Sequence, residues 1–138
     1  MFTANNNLYV KNVQLGLTKF PVVSRRELVK DTMDLMNKYH LGIACIVDEK
    51  NRLLGVFTDG DIRRAILSNQ KPLSAFFVDD ALDYARKDFK YVNEDTSLIE
   101  AVNLMGKFKI WDLPVISSDN ILKGLLHLHP ALDLLLKS

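Results

Sequence analysis

Apolar positions in the first half of the chain follow two periods, that of an α-helix and that of a β-strand. Core-type side chains recur with i, i+3, i+4, i+7 spacing at Val29, Thr32, Met33 and Met36. This spacing predicts a helix with one buried face. The apolar runs GIACIV and RLLGVFT follow, separated by the polar segment DEKN, and this arrangement predicts a β-hairpin. Another helix is predicted from Asp61 to about Leu67.

The same pattern returns 69 positions later without a gap, so that Gly55 aligns with Gly124 and Met36 with Met105. The second copy has helical spacing at Leu98, Ala101, Val102 and Met105, hairpin segments DLPVI, SSDN and ILKGLLH, and a last helix over residues 130–136. Each copy therefore reads strand, helix, strand, strand, helix. The sequence predicts an α/β (α+β) fold of two tandem repeats.

Capping residues predict where the first helix of each repeat begins. Ser24 and Glu27 have the spacing of a capping box, and Asn93 stands at the position equivalent to Ser24. Side chains of this kind accept hydrogen bonds from the free N–H groups at a helix start. Both helices are therefore expected to begin directly after these residues.

The repeats divide the chain into a first motif (8–70), a link (71–88) and a second motif (89–138). One motif of this size has little core of its own, so the two are expected to pack together with pseudo-twofold symmetry. The link contains the aromatic residues Phe76, Phe77 and Tyr84. These side chains predict that the link packs against the protein, and a plain surface connector is the alternative.

Composition and charge exclude several classes of partner. The chain has 138 residues, 48% of them hydrophobic and 25% charged, with 18 Lys and Arg against 17 Asp and Glu and a net charge of +1. Such a balance does not draw nucleic acid or membranes by charge alone, and no apolar stretch approaches the length of a membrane span. The single cysteine, Cys45, lies in an apolar run, as buried thiols of reducing compartments do. We expect a cytoplasmic protein.

Two short motifs resemble those of a known family. The pattern Gly, two apolar residues, Thr, two residues, Asp is complete from Gly55 to Asp61, and Leu113, Pro114 and Val115 form a Leu-Pro-Val strand. From about Leu8 to Ser138 the chain resembles a pair of cystathionine β-synthase (CBS) domains, called a Bateman module. It is also similar to the carboxy-terminal CBS pair of bacterial arabinose 5-phosphate isomerases and to CBS pairs of sugar nucleotidyltransferases. The sugar-isomerase domain is absent, so the chain is either a free-standing module or a piece of a longer protein.

The resemblance implies a nucleotide site at the corner formed by Thr58 and Asp61. In such pairs the Asp accepts hydrogen bonds from the ribose hydroxyls and the Thr faces the phosphate, close to a helix start that favours anions. The base would lie between Ile43, Ala44 and the strand around Val22 and Val23, and Arg63 and Arg64 would add charge near the phosphates. Thr58 and Asp61 also have the spacing of a capping box, so a helix cap without ligand is the alternative. We expect the neighbouring Asp59 to face solvent or the helix start.

The equivalent corner of the second repeat carries His127, His129 and Pro130 in place of the Thr and Asp, so a second ribose site is expected to be lost. Residues two apart on a strand share a face, and the two histidines are therefore expected to line a cleft together, where they would suit a phosphate or a sugar acid. Two imidazoles are an incomplete zinc set, and we predict no metal. For Trp111 we expect packing, with stacking on a base as the alternative.

Nothing in the sequence supplies a nucleophile or an acid–base pair with supporting neighbours, so we predict no catalysis and no required cofactor. The resemblance implies a regulatory module that senses an adenine or cytidine nucleotide or a nucleotide sugar, such as AMP or CMP-Kdo. It would act on a sugar-phosphate isomerase or a nucleotidyltransferase of surface polysaccharide synthesis. A homodimer is expected through apolar helix residues such as Leu134 and Leu135. The alternative is an oligomerisation scaffold whose cleft binds nothing.

Overall fold

The computed structural model describes residues 7–68 and 70–137, which form two compact units. The first unit comprises Thr18–Phe89, and the second comprises the chain up to Leu17 together with the segment from Lys90 onward. The predicted motif boundaries 8–70 and 89–138 and the predicted pseudo-twofold packing stay predictions.

The first unit contains a three-stranded sheet with helices. Its elements are β1 (Val22–Ser24), α1 (Val29–Tyr39), β2 (Ile43–Val47), β3 (Leu53–Thr58), α2 (Asp59–Ser68), α3 (Leu73–Phe77) and a 3₁₀ turn (Ala81–Tyr84). β1 pairs in parallel with β2, and β2 pairs antiparallel with β3. This is the predicted order of strand, helix, strand, strand, helix, followed by the link.

The second unit repeats this order on a two-stranded sheet. Its elements are a 3₁₀ turn (Val10–Asn12), α4 (Leu98–Phe108), β4 (Asp112–Ile116), β5 (Leu122–His127) and α5 (Leu128–Lys137). At the position of β1 there is only an isolated parallel bridge between Val92 and Val115. The fold is therefore the predicted α+β arrangement, with a shorter first strand in the second copy.

Backbone conformation repeats with the same offset as the sequence. His40 and Lys109 end α1 and α4 in the left-handed region, each with φ of 56°, and the hairpin turns place Asn51 at φ 63° and Asn120 at φ 65°. Residues other than glycine adopt this region only where the surrounding structure demands it, and asparagine tolerates it best. The helix end and the hairpin turn therefore have the same backbone conformation in both copies.

Each unit has its own hydrophobic core between helices and sheet. In the first unit the buried cluster is Val23, Val29, Met36, Ala44, Ile46, Phe57, Ala65, Phe76 and Ala81. In the second unit it is Val10, Val92, Leu98, Ala101, Val102, Met105, Leu113, Val115, Leu126, Ala131 and Leu135. The helical spacing predicted these inward faces for α1 and α4, with Met33 only partly buried.

The segment before β1 completes the second unit. Val10 is fully buried in that core and its N–H donates to the carbonyl of Thr96 at 2.9 Å. Leu15 and Leu125 exchange two backbone hydrogen bonds, of 2.8 and 3.1 Å. A Cβ on Gly124 would come within 2.6 Å of the Leu15 carbonyl, so this close pairing requires glycine at position 124.

The link completes the first unit in an equivalent way. Ala81 is fully buried and its N–H donates to the carbonyl of Glu27 at 2.9 Å, and Val56 and Arg86 exchange two backbone hydrogen bonds. Phe76 is buried and meets the ring of Tyr84 edge-on at 4.9 Å. The prediction that the link packs is confirmed.

The helix starts differ from the predicted ones. α1 begins at Val29, and Ser24 lies at the end of β1, so the Ser24–Glu27 capping box is wrong. α4 begins after Ser97, whose hydroxyl accepts from the N–H of Glu100 at 3.2 Å. Four residues separate β1 from α1, and five separate the bridge at Val92 from α4. Ser97 with Glu100 has the capping spacing that the prediction overlooked.

The last helices begin two residues earlier than predicted, at Asp59 and Leu128, directly after the preceding strands. Within the part of the chain that the structure describes, no helix has both the length and the apolarity required to cross a membrane.

Candidate functional site

The corner between β3 and α2 is closed by reciprocal hydrogen bonds. The Thr58 hydroxyl accepts from the N–H of Asp61 at 3.2 Å, and one carboxylate oxygen of Asp61, Oδ2, accepts from both the N–H and the hydroxyl of Thr58 at 2.9 Å. This is the geometry of a capping box. The side chain of Asp61 is only 7% exposed, so the corner is a pre-formed, partly buried carboxylate site at a helix start.

The other oxygen of Asp61 is bound by an arginine of the same helix. A guanidinium nitrogen of Arg64 lies 2.7 Å from Oδ1 of Asp61 and, in addition, the guanidinium lies over Gly60. The Arg64 side chain is 52% exposed, so it holds Asp61 from the solvent side. Arg63 is exposed and has no acidic partner among the described residues.

Asp59, the first residue of α2, ties the corner to the adjoining loop at Gly42. Its N–H donates to the carbonyl of Gly42 at 3.1 Å, and its side chain is exposed at the helix start, as expected. A Cβ on Gly42 would stand 2.6 Å from Oδ2 of Asp59. A side chain at position 42 would therefore have to displace the exposed Asp59 carboxylate.

The residues expected to surround a base differ in burial and in the face of the sheet on which their side chains lie. Ile43 pairs directly with Thr58 across the hairpin, so it lies beside the corner. Ala44 and Val23 belong to the core of the first unit, 0% and 4% exposed, whereas Val22 is half-buried. Because side chains alternate along a strand, Ile43 and Val22 lie on the opposite face of the sheet from Ala44 and Val23, although Ile43 is itself only 3% exposed. Ala44 and Val23 can meet a ligand only through their backbone groups.

The second corner contains an imidazole–carboxylate pair. Nδ1 of His127 lies 2.7 Å from a carboxylate oxygen of Asp112, its partner across the hairpin of β4 and β5. The Asp112 side chain is 8% exposed and that of His127 is 29% exposed. Sequence reasoning missed Asp112, although its position opposite His127 follows from the hairpin.

His129 does not share a strand face with His127, and that expectation is wrong. β5 ends at His127 and His129 lies exposed in the first turn of α5. The strand ends early because the helix starts at Leu128, whose N–H donates to the carbonyl of Trp111 at 2.9 Å. Among the described residues, no three His, Cys, Asp or Glu side chains come together as metal ligands would.

Two further expectations about apolar residues need correction. Trp111 is 70% exposed, so it is not packed within its unit. Leu135 is 6% exposed and belongs to the core, whereas Leu136 is 73% exposed. The helical phase of α5 turns Leu135 inward together with Ala131, one turn earlier.

A surface cleft of about 480 Å³ lies beside α4 in the second unit. Its lining residues are Tyr91, Val92, Asn93, Thr96, Glu100, Asn103, Leu104 and Lys107. Sequence reasoning did not find this cleft, because its walls come from a helix face and from the segment before that helix.

Comparisons with known proteins agree with this architecture. A family model for the CBS domain matches residues 10–68 and 81–129. An uncharacterised protein of Helicobacter pylori (strain ATCC 700392 / 26695) is 36% identical over 124 residues, which cover 90% of this chain and 36% of that protein. The chain spans little more than a third of the length of the first curated relatives that it matches.

Solved structures show the same fold. CBSX2 of Arabidopsis thaliana, solved in complex with AMP, superposes with a TM-score of 0.81 at 23% identity and covers 94% of this chain and 97% of its own. The CBS domain pair of protein MJ0100, solved with 5-methylthioadenosine and S-adenosyl-L-methionine, has a TM-score of 0.76 at 19% identity and covers 94% of this chain and 96% of its own. The chain therefore belongs to the CBS domain family, and it carries two CBS domains in tandem.

Proposed function

We propose that this CBS pair is a non-catalytic regulatory module that binds an adenine nucleotide at the corner of Thr58 and Asp61. The observation that carries the proposal is the pre-formed Asp61 carboxylate at the start of α2, held by Thr58 and paired with the half-exposed Arg64. A carboxylate offers acceptors for a cis diol, and the free N–H groups of a helix start favour a phosphate.

Ligand binding would replace the hydrogen bond between Arg64 and Asp61 by one between the ribose and Asp61. A ribose hydroxyl can take Oδ1 of Asp61, which Arg64 now occupies, while Thr58 keeps Oδ2. The displaced guanidinium is then free to pair with the phosphate of the same ligand. Its planar set of N–H donors matches the oxygens of a phosphate. Ile43 and Val22 would line the base, the backbones of Ala44 and Val23 would border it, and exposed Arg63 would add charge.

Adenine is the base that the structural comparisons favour, since CBSX2 was solved with AMP and MJ0100 with adenine-containing ligands. Cytidine nucleotides and CMP-Kdo rest on the resemblance to arabinose 5-phosphate isomerases alone. In the second unit we propose that His127, oriented by Asp112, and His129 serve an anionic group without a ribose contact, because Pro130 replaces the Asp.

The host is also a proposal. Because the matched relatives are longer than this chain, we propose that the pair regulates a larger cytoplasmic enzyme. A sugar-isomerase or nucleotidyltransferase domain of surface polysaccharide synthesis is the class that the sequence resemblance favours.

Thermal unfolding with AMP, ATP, CMP and CMP-Kdo tests the ligand. A ligand that binds the native state raises the midpoint by mass action, and we expect AMP or ATP to raise it most. The variant Asp61→Asn should keep the capping box, because the side-chain oxygen of Asn can still accept from the Thr58 N–H, but should bind about tenfold more weakly because one acceptor becomes a donor.

Arg63→Ala and Arg64→Ala are matched variants for the phosphate. Arg64→Ala should strengthen adenosine binding, because the competitor for Asp61 is gone, and weaken the preference for AMP over adenosine. Arg63→Ala should affect AMP alone. Equal affinity of wild type and Asp61→Asn would show that Asp61 is only a cap.

Two observations favour the scaffold alternative. The helix cap at Thr58 and Asp61 is complete without a ligand, and exposed apolar residues remain on α2 and α5. These include Leu67 and Leu136, 78% and 73% exposed. A flat response to the nucleotide panel together with a stable homodimer would support it.

A further inference from the structure

The cleft beside α4 presents opposite charges at its two ends. Glu100, Asn103 and Lys107 lie on one face of α4 and line the cleft, and Thr96 lines it from the turn before that helix. Glu100 stands in the first turn and Lys107 in the last. Seven residues separate them, which is about 10 Å along a helix axis.

Both charges lack a partner of opposite sign within the described residues. Glu100 makes no side-chain hydrogen bond or ion pair there, and Lys107 contacts only the ring of Phe108, at 5.4 Å from its centroid. Asn103, half-buried between them, also has no hydrogen-bond partner among those residues. The cleft therefore holds an acceptor end, a donor end and an amide between them, all available to a ligand.

The floor of the cleft is apolar. Val92 is 6% exposed, and Leu104 packs on the core of the second unit while still lining the cleft. Tyr91 adds an aromatic wall. A volume of about 480 Å³ lies within the range of small-molecule sites, which combine an apolar lining with a few polar groups.

We propose that this cleft binds a short extended peptide of about three residues with free termini. Its ammonium would pair with Glu100 and its carboxylate with Lys107, because an extended chain of three residues spans about 10 Å. Asn103 would bond the peptide backbone with one donor and one acceptor, and an apolar central side chain would rest on Val92 and Leu104. A nucleotide polyphosphate does not suit the cleft, because its several negative charges would be repelled by the Glu100 carboxylate. The proposal is independent of the corner at Asp61, which lies in the other unit.

Titration of the ¹⁵N-labelled chain with the peptide Ala-Leu-Ala tests this site. We expect saturable amide shifts confined to residues 91–107, with AMP present or absent. The same peptide with an acetylated amino terminus and an amidated carboxy terminus loses both charges and should bind roughly twentyfold more weakly, since each exposed ion pair contributes about fivefold. Ala-Gly-Ala should also bind more weakly, because it leaves the apolar floor uncovered.

Glu100→Gln and Lys107→Gln should each weaken binding of Ala-Leu-Ala about fivefold, and both replacements suit a helix surface. Lys123→Gln is the control, because Lys123 is exposed on β5 and does not line the cleft, and it should bind like wild type. Absence of saturable shifts at millimolar peptide would overturn the proposal. So would equal affinity for the free and blocked peptides, or shifts centred elsewhere.

Discussion

Asp48 is a buried carboxylate in the turn of the first hairpin, and the turn depends on it. It accepts hydrogen bonds from the N–H groups of Lys50 and Arg52, both at 2.9 Å, and from the Arg52 guanidinium at 2.7 Å. Burial alone raises the pKa of Asp48, but these hydrogen bonds outweigh it and hold the pKa below its ordinary value. At the equivalent place in the second hairpin, the Ser117 hydroxyl accepts from the N–H of Ile121 at 3.1 Å.

The charge on Asp48 makes stability depend on pH. Because its pKa in the folded state lies below that of the unfolded chain, the carboxylate stabilises the fold above the ordinary value of 3.8. That contribution is lost as the pH falls through the folded-state pKa. Asp48→Asn should therefore lower the unfolding midpoint near neutral pH and have little effect in strong acid, as followed by circular dichroism across a pH series.

Glu49→Gln is the control for this turn, because Glu49 forms an exposed ion pair with Arg25 and such pairs contribute little. A loss of stability in Asp48→Asn that is the same at every pH would contradict the assigned role of the charge.

At the scale of elements, the two first helices begin in different ways. α4 is capped by the Ser97 hydroxyl, whereas α1 follows Leu28 and has no side-chain cap. In both helices the carbonyl just before the helix accepts from the fourth helical N–H, Leu28 from Thr32 at 2.9 Å and Ser97 from Ala101 at 3.0 Å. In α1 the Thr32 hydroxyl also donates to the Leu28 carbonyl, at 2.9 Å. The two repeats thus share their helix positions while differing in the local chemistry that starts the helix.

Ser97→Ala should lower the free energy of unfolding by about 1 kcal/mol, which is the usual cost of losing a cap. Ser24→Ala is the matched control, because Ser24 is exposed at a strand end and should change stability little. Urea unfolding of both variants measures the difference. An equal loss in the two would restore Ser24 as a cap.

The segment before β1 is an element of the second unit. Val10→Ala removes the equivalent of two buried methylene groups from that core and should lower the free energy of unfolding by about 2 kcal/mol. The neighbouring Lys11→Ala breaks an exposed ion pair with Asp95 and an exposed cation–π contact with Tyr9, and it should cost little. If Val10→Ala were as stable as wild type in urea, the segment would contribute no core packing in solution.

For the whole molecule, we predict that a second copy covers exposed leucines on α2 and on α5. Leu67 and Leu136 occupy equivalent positions, 69 residues apart, and both are largely exposed. Large exposed apolar side chains on helix faces are typical of association surfaces. We therefore keep the predicted homodimer and assign it to these residues rather than to Leu135.

Leu136→Asp should shift the chain from dimer to monomer, because burying an unpaired carboxylate in an interface is costly. Sedimentation equilibrium over a wide concentration range measures the shift. Val78→Asp is the control, since Val78 is 65% exposed but lies on neither helix. A wild-type chain that stays monomeric, or two variants that dimerise equally, would contradict the assignment.

The sequence alone determined the features that depend on residues close in the chain. The tandem order of strands and helices follows from local apolar periods, and the corner of Thr58 and Asp61 follows from a spacing of three residues. The packing of the link was also predictable, because aromatic residues such as Phe76 are costly to leave in water. Helix starts were misplaced by a few residues, since several polar side chains near each start have capping spacing.

Only the tertiary structure decided which distant residues meet. The pairing of Val10 with Thr96 and of Leu15 with Leu125 joins positions far apart in sequence, and no local period encodes such a contact. The ion pair of Arg64 with Asp61 joins residues only three apart, but it too was not predicted, because arginine has many rotamers of similar energy until its surroundings select one. The cleft beside α4 likewise depends on how the segment before a helix lies against that helix, and this is decided by the packing of the whole core.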